Sequence, residues 1–91
     1  MIFEWDQRKS AVNLRKHGVS FTEAATIFGD ELSITVPDPD HSNQEERFIT
    51  IGLSELKRML MVAHTDRGDI IRIISARPLT KTEQKEYEEA N

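Results

Sequence analysis

The chain has 91 residues, enough for a single domain (1–91) with one hydrophobic core. An apolar share of 37% beside a charged share of 31% excludes a disordered chain, and no apolar run approaches the roughly 18–20 residues of a membrane span. Cysteine is absent, which excludes disulfides and thiolate metal sites. The domain is therefore expected to fold on its core alone, in the cytoplasm and without a cofactor. The net charge of −4 is unevenly spread: residues 1–29 carry +1, 30–46 carry −6, 47–77 carry +3 and 78–91 carry −2. A local basic field steers an anionic ligand more than a net charge repels it, so nucleic acid is not excluded.

Ile2 to Trp5 is a short apolar run that reads as an edge strand. Asp6 stands where an N-cap belongs, and Gln7 to His17 is a helix that ends at Gly18, a C′ glycine. Ser20 and Glu23 have capping-box spacing, and Val19 with Ala24 the spacing of a hydrophobic staple. Phe21, Ala24, Ala25 and Phe28 follow i, i+3, i+4, i+7, which predicts a second helix that stops at Gly29. Leu32, Ile34 and Val36 alternate with Ser33 and Thr35 as in a half-buried strand, closed by Pro37. Asp38 to Glu46 is a polar loop.

Arg47 to Leu53 is the next strand, with Gly52 at its end or at a bulge. Arg58 to Thr65 and Ile70 to Arg77 are two more, joined around Asp66-Arg67-Gly68-Asp69. After Pro78, Thr80 and Glu83 repeat the capping-box spacing and open a last helix whose apolar stripe is thin. The fold class is α+β: an antiparallel four-stranded sheet plus a short N-terminal strand, two early helices over one face, and a C-terminal helix. The other face is expected to be left for Arg, Thr and His side chains and a partner.

Arg47, Arg67, Arg72 and Arg77 lie on adjoining strands, and guanidiniums present donor forks that match phosphate oxygens. One such residue is most simply a solvated charge. Four together point to a shared anion, with Arg67 and Arg77 foremost. Arg72 and Arg77 differ in parity, so either a bulge intervenes or Arg77 acts from the strand's end. Histidine exchanges protons most readily near neutrality. His64, beside Asp66, is a candidate acid or base, and His17 follows Lys16 at the end of the first helix, where it also suits the helix dipole. Asp38, Asp40 and His41 invite a metal reading, but they lack a recognisable ligand spacing, and no metal is expected.

Phe3-Glu4-Trp5-Asp6, Lys16-His17-Gly18-Val19-Ser20-Phe21, Arg47-Phe48 with Gly52-Leu53, and Arg72-Ile73-Ile74-Ser75-Ala76-Arg77 followed by Glu83 and Tyr87 resemble the BrnT toxins. These are the ribonuclease components of bacterial type II toxin–antitoxin pairs. The resemblance implies a small RelE-like domain that cleaves RNA without metal and arrests translation. It also implies a BrnA-type antitoxin with a ribbon-helix-helix region, in a 2:2 complex that meets DNA only through the antitoxin. Attack of a ribose 2′-OH on the adjacent phosphorus needs a base, an acid and cations around the phosphorane. Arg67, Arg77 and Arg47 are the candidate cations, His64 or His17 the proton carriers, Asp66 an orienting group, and Lys16, His17 and Arg72 RNA-binding residues; a lysine or arginine is an alternative acid. The competing readings are a non-catalytic RNA- or ribosome-binding module and a partner-binding scaffold.

Overall fold

The computed structural model describes residues 1–38, 40 and 46–90. Its elements run β1 (Ile2–Glu4), α1 (Gln7–His17), α2 (Phe21–Thr26), β2 (Ile34–Pro37), β3 (Arg47–Leu53), β4 (Met59–Arg67), β5 (Ile70–Pro78) and α3 (Lys81–Ala90). Among the described residues no helix is long and apolar enough to cross a membrane.

Local chemistry sets most helix ends. The Asp6 carboxylate accepts the backbone N–H of Arg8 at 2.8 Å and of Lys9 at 3.1 Å, and these bonds, Lys9's foremost, hold its carboxyl below the ordinary range. Gly18 closes α1 at φ 70°, a conformation that suits glycine, with its N–H on the Leu14 carbonyl. Ser20 Oγ accepts the Glu23 N–H at 3.0 Å, but the second half of that capping box is not made. The Glu23 carboxylate is drawn away to Ser54 Oγ at 2.7 Å and to the Arg58 guanidinium. Arg58 also donates to the Gly18 carbonyl at 2.9 Å, so one buried carboxylate and one guanidinium tie α2 to the β3–β4 turn. Glu23 is thereby held below its ordinary pKa of 4.5, mainly by the Arg58 bond.

α2 is shorter than its periodicity predicts, because Ile27–Gly29 tightens into a 3-10 turn that packs on β3. A Cβ at Gly52 would sit 3.0 Å from Ser33 Cβ and 3.2 Å from the Ile27 carbonyl. Gly52 is therefore a close-approach glycine inside β3, neither a strand end nor a bulge.

The sheet has the order β1-β5-β4-β3-β2, and β1 pairs with β5 in parallel. This corrects the expectation of an antiparallel four-stranded sheet with a separate first strand: the sheet is five-stranded and mixed. Short links dictate the antiparallel pairs, whereas β1 meets β5 from the far end of the chain, which local patterning does not encode. β2 begins only at Ile34 and includes Pro37, tolerated at the sheet's edge. Leu32 precedes it and is 69% exposed, and Ile34 and Val36 pair with Ile51 and Ile49 on the face away from the helices. The apolar face of β2 therefore does not join the core.

The core is Val19, Phe21, Ala24 and Ile27 from the helical layer against Leu60 and Val62 of β4 and Ile71, Ile73 and Ala76 of β5. The β5 spacing, two residues then three, records a bulge. His64 pairs with Ile73 and Ala63 with Ser75, so Ile74 is the extra residue. Beyond β1, the edge of β5 has no strand neighbour among the described residues. Buried Asn13 of α1 fills that role: its Oδ1 accepts the Ala76 N–H at 3.0 Å, and its Nδ2 donates to the carbonyls of Ala76 at 2.8 Å and Val19 at 2.9 Å.

Asn13→Ala removes three buried hydrogen bonds and orphans both backbone groups of Ala76, a cost on the order of 3 kcal/mol in urea unfolding. Asn13→Asp, which cannot donate, should cost at least as much; a loss below about 0.5 kcal/mol in both variants contradicts the role of this side chain. Because Glu23 is depressed in the fold, its contribution is complete above pH 4.5 and fades as pH falls below that value. Thermal melts of Glu23→Gln should show lower stability than wild type at pH 7 and a gap that narrows towards pH 3.

Candidate active-site groove

The face of the sheet opposite α1 and α2 is laid out in rows. Arg47, Thr65 and Arg72 stand opposite one another on β3, β4 and β5, with Glu4 of β1 beside Arg72. The next row is Ile49, Ala63 and Ser75, and the one after it Ile51, Met61 and Arg77. The bulge at Ile74 resolves the parity conflict between Arg72 and Arg77: both side chains belong to this outer face.

A cavity of about 380 Å³ opens over these rows, lined among others by Arg47, Arg77, Ser75, His17 and Asp38. Three separate elements supply its polar groups. Arg47 opens β3, and its carbonyl accepts the Asp38 N–H at 2.8 Å, which sets Asp38 at the same end of the groove. Arg77 comes from β5 past the bulge. His17 is the last residue of α1 and reaches the groove because Asn13, one turn earlier, fastens that helix to Ala76.

Arg77 is held by several contacts. Its Nη1 and Nη2 donate to the two Glu83 carboxylate oxygens at 2.7 and 2.8 Å, and Nη2 also meets Met61 Sδ at 3.3 Å. Glu83 accepts the Thr80 N–H at 2.9 Å while Thr80 Oγ1 accepts the Glu83 N–H at 3.1 Å, a complete capping box. The Arg77 bond and then the Thr80 N–H bring the Glu83 carboxyl down to about 2, and the Arg77 guanidinium is correspondingly harder to deprotonate. α3, with no buried residue of its own, is held at one end by this pair and at the other by the Tyr87 hydroxyl, which donates to the Leu32 carbonyl at 2.6 Å.

Several expected site residues lie elsewhere. Arg67 is exposed at the β4–β5 hairpin tip, beside the Gly68 turn. Met61, the partner of Arg77, is six residues back along β4, about 20 Å away, so Arg67 and Arg77 do not converge. Asp66 is likewise exposed at that tip. Arg72 pairs with Glu4 at 3.3 Å.

His64 is 1% exposed and faces the helices, a correction to its placement beside the arginines. Its ring is stacked with Phe48, centroids 6.0 Å apart, and T-shaped with Phe28, centroids 5.0 Å apart. Its Nε2 shares a 2.7 Å hydrogen bond with Thr50 Oγ1, which in turn meets Thr35 Oγ1 at 2.7 Å. Desolvation pushes its pKa down, so the ring is held neutral in the core. The parity of Leu60, Val62 and His64 on β4 carries this placement, once the core face is known.

Lys16 lies one step outside the groove, in an adjoining cavity that also contains His17. His41 of the metal reading lies outside the described residues. Nothing in the local sequence pattern gives Asn13 or Ser75 a site role, and Glu83 has the spacing of a cap and a place in the family motifs but no mark of its pairing with Arg77. An asparagine inside an otherwise basic amphipathic helix is the one signal that marks Asn13 in advance.

By sequence, no curated protein matches the chain. The crystal structure of the Brucella abortus ribonuclease toxin BrnT superposes with a TM-score of 0.63 at 20% identity, over 89% of this chain and 100% of that one. That likeness extends to the fold. The family model described as the ribonuclease toxin BrnT of type II toxin–antitoxin systems matches residues 5–83, most of the chain. With a matching sheet-and-helix architecture and a cationic groove on the face opposite α1 and α2, the chain belongs to the BrnT family of ribonuclease toxins.

Proposed function

We propose that this chain is a metal-independent endoribonuclease toxin whose reaction takes place in the groove lined by Arg47, Arg77 and His17. The observation that carries the reading is the convergence of two guanidiniums and an imidazole from three elements in one cavity. In this reading the ribose 2′-oxygen attacks the adjacent phosphorus, and its proton passes to a base. The bond from phosphorus to the 5′-oxygen breaks, and that oxygen takes up a proton. The products are a 2′,3′-cyclic phosphate and a free 5′-hydroxyl, with no water consumed and no metal required.

The two arginines face the equatorial oxygens, where negative charge grows as the phosphorane forms. Arg77 contributes most, because the Glu83 bidentate pair and Met61 hold its guanidinium in place before substrate arrives. His17 exchanges a proton with the reacting oxygens. Of the two described histidines it is the one that lines the groove, His64 being sealed in the core. Lys16 and Arg72 extend the cationic surface around the reacting phosphate. Arg67 and Asp66 are too far along the hairpin to touch the same phosphate.

Type II systems pair a toxin with a protein antitoxin. The partner we propose is a BrnA-like antitoxin that covers the groove, carries a ribbon-helix-helix DNA-binding region and assembles two copies of each chain in the cytoplasm.

With purified protein and a short RNA, Arg77→Ala should lower kcat/KM by about 100-fold or more and His17→Ala by a similar factor, while Arg67→Ala changes it less than about threefold. A large loss in Arg67→Ala beside normal activity in Arg77→Ala would move the site to the hairpin tip. Cleavage should also persist in excess chelator and leave a 2′,3′-cyclic end, detected by mass spectrometry. Activity that vanishes in chelator and returns with a divalent ion overturns the metal-free mechanism.

A further inference from the structure

α1 has a cationic face that the groove chemistry does not account for. Its sequence, Gln7 to His17, holds Arg8, Lys9, Arg15 and Lys16 and no acidic residue, in a chain whose net charge is −4. Arg15, Lys16 and His17 in the last turn suit the helix dipole. Arg8 and Lys9 occupy the first turn, where the dipole disfavours cations, so helix stability does not explain them. Arg8, Lys9 and Lys16 are exposed, and among the described residues none of their side chains joins an ion pair.

These cations share a second cavity of about 320 Å³, floored by Val12 and Ile74. Arg8, Val12 and Lys16 stand one helical turn apart along a line of about 12 Å. This cavity and the reaction groove both include His17, Ile74 and Ser75, so they are continuous around the β5 bulge. Val12 is 49% exposed, an apolar surface with cations on both sides. That pattern fits a single nucleic-acid strand, whose phosphates meet Arg8, Lys9 and Lys16 while a ribose or base lies against Val12 and Ile74.

Resting on the reading of the first groove as the reaction site, we infer that the α1 face is an RNA-backbone track that binds the single strand flanking the scissile phosphate, with Arg8 and Lys9 as its outermost contacts. Such contacts act on affinity and its salt dependence, and not on the bond-breaking step. They position a long substrate and are dispensable for one that ends at the scissile phosphate.

The test is fluorescence anisotropy of a 2′-O-methyl RNA 12-mer, which binds but cannot be cut, across a salt series. The Arg8→Ala/Lys9→Ala double variant should bind roughly tenfold more weakly, with a log–log salt slope lower by about 1.4, or 0.7 per lost phosphate contact. Arg8→Lys/Lys9→Arg should restore the slope, which separates charge from any effect on folding. Unchanged affinity and slope in the alanine variant overturn the track, as does a wild-type protein that does not bind the oligonucleotide. A variant that keeps full RNA affinity but loses an acidic protein partner assigns the face to that partner and likewise overturns it. If wild type binds through Arg8 and Lys9 yet leaves the unmodified 12-mer intact, the track stands and the ribonuclease reading falls. If wild type cuts RNA while the alanine variant binds normally, the reverse holds.

Discussion

The side chain of Asn13 connects the two halves of this protein. β5 is covered on one side by β4 along its whole length, but on the other side β1 reaches only Ile70 to Arg72. The remaining edge exposes backbone groups that need partners. Asn13 presents one acceptor and one donor to Ala76, as a neighbouring strand would, and uses its second amide hydrogen on the Val19 carbonyl. A helix is thereby fastened to a sheet edge in a defined register. His17 and Lys16, one turn further along, owe their position beside the groove to that attachment.

The bulge at Ile74 is the second constraint. A regular strand would put Arg72 and Arg77 on opposite faces and drive one of them into the core. With one extra residue, Ile71, Ile73 and Ala76 all face the helices, and the arginines all face out. The result is a clean division of chemistry between the faces. The inner face has a polar chain of Thr35, Thr50 and His64, enclosed by Phe28 and Phe48, where desolvation keeps the imidazole neutral. The outer face has half-buried guanidiniums, those of Arg72 and Arg77 paired with Glu4 and Glu83.

Arg77 couples the groove to the C-terminal helix. Glu83, brought down to about 2, stays ionised at any physiological pH and keeps the guanidinium oriented while offsetting part of its charge. The field at the groove therefore depends on Arg47 and on the α1 cations as well as on Arg77. α3 buries none of its residues, so a polar clamp at its start and the Tyr87 hydroxyl near its end carry much of its attachment. One side chain, Arg77, thus lines the groove and anchors the helix.

Where chemistry is local, the chain alone determined it. Asp6, Gly18, Ser20 and the Thr80–Glu83 box mark helix ends through bonds made within a few residues, and β3 and α1 run over the spans their patterns predict. The antiparallel order of β2 to β5 follows from links too short for any other arrangement. The family was legible as well, in motifs spread along the chain. Tertiary structure decided the rest, because it depends on groups far apart in sequence. The parallel docking of β1 on β5 joins residues 68 positions apart, and Asn13 meets Ala76 across 63. The outward turn of Arg77 hinges on one inserted residue in β5, and the burial of His64 on which face of β4 the helices cover. Arginine-rich composition announced an anion-binding surface; which arginines share it was settled by the distance of about 20 Å that a hairpin puts between its tip and its base.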